Sequence, residues 1–214
     1  MSRGTSGGGS VAAGKQATLR RLAVKLKATA DKIEPTITGP LKETVEGLGG
    51  QMAGLDFRLK SQSSIESKIR RDAEEAGCDL ETASKGVTDL VRYTAVFEPE
   101  TFTKDVAATQ SMLMEQGWAQ YDHKWRNYFS PGNAYQGYNT VMVNKDGVRF
   151  ELQYHTRESL EIKERAHLLY NEARELPASS PHRAALNQQM AGLWDTFHRP
   201  ENWESLPGTV IKTG

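Results

Sequence analysis

The chain has 214 residues, with 27 basic and 27 acidic side chains and therefore a formal net charge of zero. A chain of this length can bury the core of one fairly large domain, and its balanced charge excludes a global electrostatic attraction to nucleic acid or to an anionic membrane. The single cysteine, Cys78, excludes an internal disulfide framework and a multi-cysteine zinc site. No apolar run approaches the length of a membrane span, so we expect no membrane partner.

The N-terminal quarter predicts a linker followed by two helices. Residues 1–14 are small and polar, which is typical of a flexible linker or tag. From residue 15 to about 33, apolar residues recur at three- and four-residue steps, the pattern of an amphipathic helix. Pro35, Gly39 and Pro40 interrupt this pattern, and a second helix is expected over residues 41–48. Residues 15–54 are therefore predicted to be helices that pack on a body formed by residues 55–214.

A basic segment, RLKSQSSIESK, spans residues 58–68. Its cations and hydroxyl group are suited to binding several phosphate oxygens at once, and they are Arg58, Lys60, Ser64 and Lys68. The segment runs into a helix predicted from Ser63 to about residue 76. Since the unpaired N–H groups of a first helical turn also favour anions, the sequence predicts a phosphate site here.

The rest of the chain alternates strand and helix signals. Strands are predicted at residues 87–97, 118–129, 138–144 and 148–156, and helices at 101–115, 158–175 and 181–198. A loop is predicted at 130–137, and NKDG at 144–147 is a strong hairpin turn. The predicted class is α+β, with a mixed β-sheet flanked by helices.

The last predicted strand, RFELQYHT, has one apolar and one polar face. Alternation places Phe150, Leu152 and Tyr154 on one side and Glu151, Gln153 and His155 on the other. A strand of this kind, taken alone, is more often a solvated edge. With the basic segment upstream, its polar face is also a candidate wall of a nucleotide site.

Five segments, taken in chain order, resemble the synthetase domain of the RelA/SpoT family, and in particular its compact single-domain toxins. They are RLKSQSSIESK, DLVRYT, a strand with lysine and aromatic residues, NAYQGYN and FELQYHT. The resemblance covers about residues 55–174, and the basic segment matches the family spacing Arg-x-Lys-x-x-x-Ser-x-x-x-Lys. It implies a nucleotidyltransferase-like synthetase fold with an N-terminal helical lead-in. Such enzymes transfer pyrophosphate from ATP to the ribose 3′-hydroxyl of guanosine nucleotides, adenosine nucleotides or the 3′ end of tRNA.

The resemblance also implies roles for individual residues. Asp89 would be a Mg²⁺ ligand, and Glu151 a second ligand or the general base for the attacking hydroxyl. ATP would be bound by Arg58, Lys60, Ser64, Lys68 and Arg92. The acceptor base would stack on Tyr135, and further acceptor contacts would come from Asn133, Lys124, Gln153 and His155. Magnesium held by one or two carboxylates plus phosphate oxygens suits a polyphosphate donor. Without the resemblance, Asp89 reads as a turn residue, Tyr135 as packing and His155 as a buried structural histidine.

The acceptor loop departs from the family pattern. The family usually reads Asn-Gly-Tyr-Gln-Ser-Leu-His, whereas residues 133–139 read NAYQGYN and lack the final histidine. The identity and size of the acceptor are therefore open. Arg92 also lies closer to Asp89 than the corresponding family arginine, and no segment matches the family's hydrolase domain.

Three functions compete on these grounds. The preferred one is a pyrophosphokinase that makes (p)ppApp or (p)ppGpp as a growth-inhibiting toxin. The alternative is pyrophosphorylation of the tRNA 3′-terminal adenosine, which would block translation, with cations around Lys25 and Lys27 contacting phosphates. A catalytically inactive nucleotide-binding module is disfavoured because both carboxylates and all four phosphate-binding candidates are retained. The toxin hypothesis predicts a cytoplasmic site of action, allows for an antitoxin or immunity protein, and fits delivery as the C-terminal domain of a secreted protein.

Overall fold

The computed structural model describes residues 7–121 and 124–212. Its helices are α1 (Gly7–Gly47), α2 (Gln62–Ala76), α3 (Leu80–Lys85), α4 (Phe102–Glu115), α5 (Arg157–Arg174) and α6 (Pro181–Gly192). Its strands are β1 (Gln51–Ala53), β2 (Arg92–Val96), β3 (Trp118–Gln120), β4 (Arg126–Asn127), β5 (Tyr138–Asn144), β6 (Arg149–His155) and β7 (Thr209–Val210). Single 3₁₀ turns lie at Leu55–Phe57 and Trp203–Ser205. The α+β class with a mixed sheet flanked by helices is confirmed.

The sheet places the strand with the polar face in its interior. The strand order is β1-β2-β6-β5-β4-β7, with β3 also paired to β5. Strands β2 and β6 run parallel, and β5 and β6 form an antiparallel hairpin. Because β6 has a hydrogen-bonded neighbour on each side, its polar residues are not those of a solvated edge.

The two faces of the sheet differ in chemistry. Residues that pair directly across strands share a face, and on one face these residues form the main core with α1 and α4. The buried members of this face include Tyr93, Ala95, Tyr138, Met142, Phe150, Leu152 and Tyr154. The other face presents Arg92, Asn139, Glu151 and Gln153 at directly paired positions. The candidate site is built on this second face.

The predicted break between two N-terminal helices is wrong, because α1 continues through Pro35 and Pro40. A proline inside a helix costs about 3 kcal/mol, since it removes a backbone hydrogen bond and crowds the preceding turn. The apolar face of α1 continues in register past both prolines, and Ile37 and Leu41 are fully buried in the main core. Burying such a side chain contributes about 1.5–3 kcal/mol, and together with Val45, which is also fully buried, these side chains offset the cost of the two prolines.

Helix α1 also starts earlier than expected. It begins at Gly7, so residues 7–14 of the predicted linker are helical, while residues 1–6 lie outside the described residues. The helix has 41 residues. Neither α1 nor any other helix in the described part of the chain combines the length and apolar content needed to cross a bilayer.

The central elements match the predictions for α2, α4, β5, β6 and α5 to within about one residue. The strand predicted at 118–129 is instead two short strands, β3 and β4. The connection between them returns to the sheet at the buried Trp125, whose indole N–H donates to the Val141 carbonyl at 3.2 Å. The strand predicted at 87–97 shortens to β2. The last helix ends at Gly192 because Trp194 and Phe197 turn into the main core.

Candidate active site

The two predicted catalytic carboxylates lie at one end of the parallel pair formed by β2 and β6. Asp89 lies in the segment leading into β2, and Glu151 lies near the start of β6, directly opposite Arg92. The backbone N–H of Glu151 donates to the Val91 carbonyl at 3.0 Å, which fixes this register. The fold thus places both carboxylates at the same end of two adjacent strands, although they are far apart in sequence.

Asp89 is held by the basic segment. The Nζ atom of Lys60 lies 2.9 Å from Oδ2 of Asp89, and both side chains are mostly buried. Burial raises the pKa of Asp89, but the positive charges of Lys60, Lys68 and Arg92 outweigh it and lower the pKa below its ordinary value. The carboxylate is therefore ionised at neutral pH, and three of the five predicted ATP-binding residues act on it.

The carboxylates fit a Mg²⁺ ion. The second oxygen of Asp89, Oδ1, is buried and has no hydrogen-bond partner among the described residues, which suits an atom kept for a ligand. No group of three or more histidine, cysteine or acidic side chains that could hold a metal is found in residues 7–121 and 124–212. Because Mg²⁺ usually takes one or two carboxylates and completes its shell with water and phosphate oxygens, a donor-bound ion fits better than a permanent one.

Helix α2 presents its first turn and one flank beside this carboxylate. Ser61 caps the helix, since its Oγ accepts from the Ser64 N–H at 3.2 Å and donates to the Ser64 hydroxyl at 2.9 Å. Ser64 is exposed, and Lys68, one turn further, pairs with Asp72 at 3.1 Å. An ion pair between residues four apart on a helix is weak, so Lys68 can exchange Asp72 for a phosphate at small cost.

Arg58 is committed to the N-terminal helix. Its Nε lies 2.5 Å from Oε1 of Glu34, and its Nη1 donates to the Leu55 carbonyl at 2.6 Å. The hydrogen bond from Arg58 lowers the pKa of Glu34, which is itself buried. The guanidinium keeps further N–H donors. Its assignment to ATP stays a prediction, and its observed contact ties α1 to the basic segment.

A chain of hydrogen bonds crosses the polar face from α5 to Glu151. Lys163 donates to Oε1 of Gln153 at 2.7 Å, and the Gln153 amide donates to Oε1 of Glu151 at 2.8 Å. Burial and the nearby Arg92 lower the pKa of Lys163 to about 8. Since the lysine can only donate, it fixes the Gln153 amide so that its N–H₂ group faces the carboxylate.

The sequence analysis did not single out Lys163. A signal for it exists in the spacing of α5, where Ser159 and Lys163 lie one turn apart beside the buried Ile162 and Ala166. Two polar side chains next to the buried stripe of a helix that directly follows a polar strand face indicate contacts with that face.

His155 is a neutral, buried link between α5 and the acceptor loop. Its ring contacts the Ser159 hydroxyl at 2.8 Å through Nδ1 and the Tyr135 hydroxyl at 3.0 Å through Nε2. Burial, aided by the positive charge of Lys163, holds the pKa of His155 well below its ordinary value. Both ring nitrogens already have hydrogen-bond partners within the protein. This matches a structural histidine better than one that contacts the acceptor directly.

Tyr135 is already engaged by its surroundings. Its hydroxyl donates to Oδ1 of Asn139 at 2.7 Å, and its ring makes edge contacts with Tyr128 and His155. Asn139 occupies the place of the missing family histidine. Burial and the charge of Glu151 raise the pKa of Tyr135. Its ring lies in the acceptor loop and is partly buried, and its stacking on a base stays a prediction.

Two neighbours hold Tyr135 in this position. A Cβ atom at Gly137 would lie only 2.7 Å from the Tyr135 hydroxyl and from the His155 ring, so a glycine is needed there. Asn133, which is buried, donates from its amide to the Tyr128 and Ile211 carbonyls at 2.8 and 2.9 Å. Asn133 thus anchors the loop, and its predicted contact with the acceptor stays a prediction.

Lys124 is the remaining predicted acceptor residue, and Gln136 is a loop residue to which the sequence analysis assigned no role. Lys124 is partly exposed and directly follows residues 122–123, which lie outside the described residues, so its role stays a prediction. Gln136 is fully buried, and neither atom of its amide has a hydrogen-bond partner within the described part of the chain. Such an amide is costly to leave unpaired, so it is available to a ligand or water.

A depression of about 450 Å³ lies elsewhere on the surface. Its lining includes Thr103 and Lys104 of α4 and Asn202 near the C-terminal 3₁₀ turn. It contains no predicted site residue and is widely open, so we do not place the chemistry there.

Comparison with known proteins finds solved structures of similar fold. No protein-family model and no curated protein matches the chain. The small alarmone synthetase 1 of Bacillus subtilis, solved with its product pppGpp, aligns with a TM-score of 0.50 at 16% identity, covering 80% of this chain and 88% of that one. The type VI effector Tas1, solved with its immunity protein, aligns at 0.47 with 18% identity over 84% and 94% of the two chains. A GTP pyrophosphokinase family protein of Streptococcus pneumoniae aligns at 0.48 with 16% identity over 79% and 85%. The alignment with the Bacillus subtilis synthetase shows that this chain shares the α+β fold of that small alarmone synthetase.

Proposed function

We propose that this protein is a pyrophosphokinase that transfers the β- and γ-phosphates of ATP to the 3′-hydroxyl of a purine nucleotide. The observation that carries the proposal is the convergence of Lys60, Lys68 and Arg92 on the ionised Asp89, with Glu151 beside Arg92 on the adjacent strand. Cations beside two carboxylates are the residue types that phosphoryl transfer with Mg²⁺ requires. The shared fold adds to this support.

In the proposed reaction the acceptor 3′-oxygen attacks the β-phosphorus of ATP. The bond from that phosphorus to the oxygen of the α-phosphate breaks, and AMP leaves. The proton of the 3′-hydroxyl goes to Glu151, whose carboxylate is oriented by Gln153 and Lys163. Lys60, Lys68 and Arg92 compensate the charge of the polyphosphate. Mg²⁺, when held by Asp89 with or without Glu151, would screen the charge that develops on the transferred group.

The deciding experiment supplies the protein with Mg²⁺, ATP labelled at the γ-phosphate, and one acceptor at a time. The acceptors are GDP, GTP, ADP, AMP and deacylated tRNA. Label that appears on the acceptor together with one equivalent of AMP establishes pyrophosphate transfer. Release of labelled phosphate without a labelled acceptor, or no turnover with any acceptor, would leave a nucleotide-binding module without transferase activity.

The tRNA 3′ end is a second candidate acceptor. Arg20 and Lys25 project from α1 with exposed side chains and could contact RNA phosphates, whereas Arg21 and Lys27 form ion pairs with Glu81 and Asp31. Transfer to tRNA should weaken steeply between low and physiological salt, because several phosphate contacts release counterions. Transfer to a mononucleotide should respond weakly. Neutralising the four cations together should abolish transfer to tRNA and leave transfer to a mononucleotide almost unchanged.

In a cell, transfer to either acceptor would act as a growth-inhibiting toxin. A purine-nucleotide acceptor would divert ATP and nucleotides into (p)ppApp or (p)ppGpp, and a tRNA acceptor would block aminoacylation. The site of action would be the cytoplasm, where both substrates are present. The test in cells is expression of the wild type and of a Glu151→Gln variant at the same level. The wild type should arrest growth, and the variant should not.

A further inference from the structure

A basic depression lies where three helices meet, outside the predicted catalytic residues. It has a volume of about 190 Å³. Its lining consists of Arg71 and Glu75 from α2, Tyr170, Ala173 and Arg174 from α5, and Arg183 and Asn187 from α6. Three arginines from three separate helices thus face one carboxylate.

We propose that this depression binds a phosphate group of the acceptor, at the end of the acceptor that points away from the reacting 3′-hydroxyl. The inference rests on the proposed function, because it assigns a substrate contact to the same enzyme. Ligand sites for whole small molecules usually have about 300–1,000 Å³, so this depression suits a single group of phosphate size. Guanidinium groups bind phosphate oxygens in a bidentate manner and stay charged at every physiological pH.

The depression is lined by residues further along the two helices that carry Lys68 and Lys163. Along α2, Arg71 lies about one turn beyond Lys68 and Glu75 about two turns beyond it, or roughly 5 and 10 Å along the helix axis. Along α5, the face that carries Lys163 reaches Tyr170 over a similar length. A substrate that reacts between the first residues of these helices would therefore direct its far end into the depression.

The arginines are available to a ligand. Arg71 contacts Asp72 and Glu75 at 3.7 and 4.0 Å, and Arg174 contacts Glu175 at 3.2 Å. These are exposed pairs with neighbours on the same stretch of chain, which contribute little and which a doubly charged phosphate can replace. Arg183 donates to the Leu176 carbonyl at 3.0 Å and has no carboxylate partner in the described part of the chain.

Tyr170 gives the depression an aromatic edge. Its side chain is 52% exposed, although large aromatic residues are usually buried. The phenol ring lines the same depression as the three guanidinium groups and therefore lies close to a phosphate bound there. The ring also provides a local reporter of binding.

The test uses the full chain labelled with fluorotyrosine and followed by ¹⁹F NMR, with the Tyr170 signal identified by its loss in Tyr170→Phe. The protein is saturated with Mg²⁺ and a non-hydrolysable ATP analogue. It is then titrated with ADP, GDP and the trinucleotide CCA, and with adenosine and guanosine as unphosphorylated acceptors. The phosphorylated acceptors should shift the Tyr170 signal, and the nucleosides should not.

Matched variants then separate the site from general charge. Arg71→Gln with Arg174→Gln should weaken the binding that Tyr170 reports by about 10-fold or more. The control is Arg70→Gln with Arg165→Gln, which removes the same charge from exposed positions on the same two helices. It should change the affinity that Tyr170 reports less than twofold. Circular dichroism and thermal unfolding check that both variants stay folded.

Each outcome has a defined meaning. If the Tyr170 signal shifts with ADP or GDP, the bound phosphate is a 5′-phosphate of a mononucleotide. If it shifts with CCA alone, the bound phosphate is an internucleotide phosphate. Both results support the proposal. No Tyr170 response to any phosphorylated acceptor, or equal losses in the two double variants, overturns it. A wild type that binds in this way but transfers no pyrophosphate refutes the proposed function and leaves the phosphate site standing.

Discussion

The donor and acceptor halves of the candidate site are built in opposite ways. The donor half, formed by Lys60, Ser64, Lys68 and Asp89, is charged and partly exposed, and its ion pairs can be exchanged for ligand contacts. The acceptor half, formed by Tyr135, Asn139, His155 and Ser159, is neutral and hydrogen-bonded internally. Under the proposed function, a polyphosphate would find its counter-charges in place, whereas an acceptor would have to use surfaces that remain outside a closed network. Glu151 and Arg92 lie between the halves.

The largest expected effect comes from Glu151, which both halves share. Glu151→Gln should lower the rate of transfer at least ~100-fold, because it removes the base while keeping a hydrogen-bond acceptor for Gln153. Affinity for a non-hydrolysable ATP analogue should stay within a few fold. Glu161→Gln, at an exposed position of α5, is the control. Turnover like the wild type in Glu151→Gln would refute the assignment of the base.

Lys60 tests the charge of the donor half. Lys60→Met should weaken binding of the ATP analogue by about 1.5–3 kcal/mol, the usual loss for a charge-assisted contact, and Lys32→Met on the exposed face of α1 should not. Calorimetric titration measures both. Arg58→Ala should weaken it less than Lys60→Met, because Arg58 is already paired with Glu34. Equal losses for Lys60 and Arg58 would show that the pair with Glu34 opens to bind ATP.

The same lysine gives a pH dependence of stability. The pKa of Asp89 is lowered in the folded protein, so its contribution to the free energy of unfolding is present above about pH 4 and is lost as the pH falls through the folded value. Lys60→Met removes the main cause of the lowering. Urea unfolding at pH 7 and pH 3 should therefore show a smaller loss of stability on acidification in Lys60→Met than in the wild type.

Lys163 tests the connection between the halves at alkaline pH. Its pKa is lowered from the model-peptide value to about 8, so between about pH 8 and 10.5 the folded protein has released a proton that the unfolded chain still holds. In this window the free energy of unfolding of the wild type should rise with pH. Relative to Lys163→Met, the gain should be on the order of 2 kcal/mol. Urea unfolding at pH 7 and pH 10 measures the difference, with the exposed Lys145→Met as control. If the free energy of unfolding changes with pH in the same way in the wild type and in Lys163→Met, the ammonium group of Lys163 is exposed to solvent.

The smallest effects are expected in the acceptor half. Tyr135→Phe removes hydrogen bonds to Asn139 and His155 and should lower the free energy of unfolding by about 1 kcal/mol with little change in transfer. Tyr135→Ala also removes the ring and should raise the acceptor KM while leaving ATP binding nearly intact. Steady-state kinetics with each acceptor distinguishes the two variants. An unchanged acceptor KM in Tyr135→Ala would exclude stacking on this ring.

The sequence by itself determined the parts of this protein that depend on local pattern. Alternation in RFELQYHT predicted β6 and both of its faces, and NKDG predicted the hairpin with β5, in which Asn144 Oδ1 accepts from the backbone N–H groups of residues 146 and 148. The spacing of the basic segment predicted phosphate candidates around the start of α2. These features follow from side-chain period, turn chemistry and capping, which act over a few residues.

Only the tertiary structure decided the features that depend on distant partners. Two prolines predicted the end of a helix, yet the fully buried Ile37 and Leu41 keep α1 continuous, because burial in the core outweighs local propensity. Arg58 was predicted to face ATP, and only the fold shows its pairing with Glu34. Lys163 gains its contact with Gln153, and its lowered pKa, from the packing of α5 on the polar face of β6. Burial and charge at such positions are set by which surfaces meet, and spacing along the chain does not specify that.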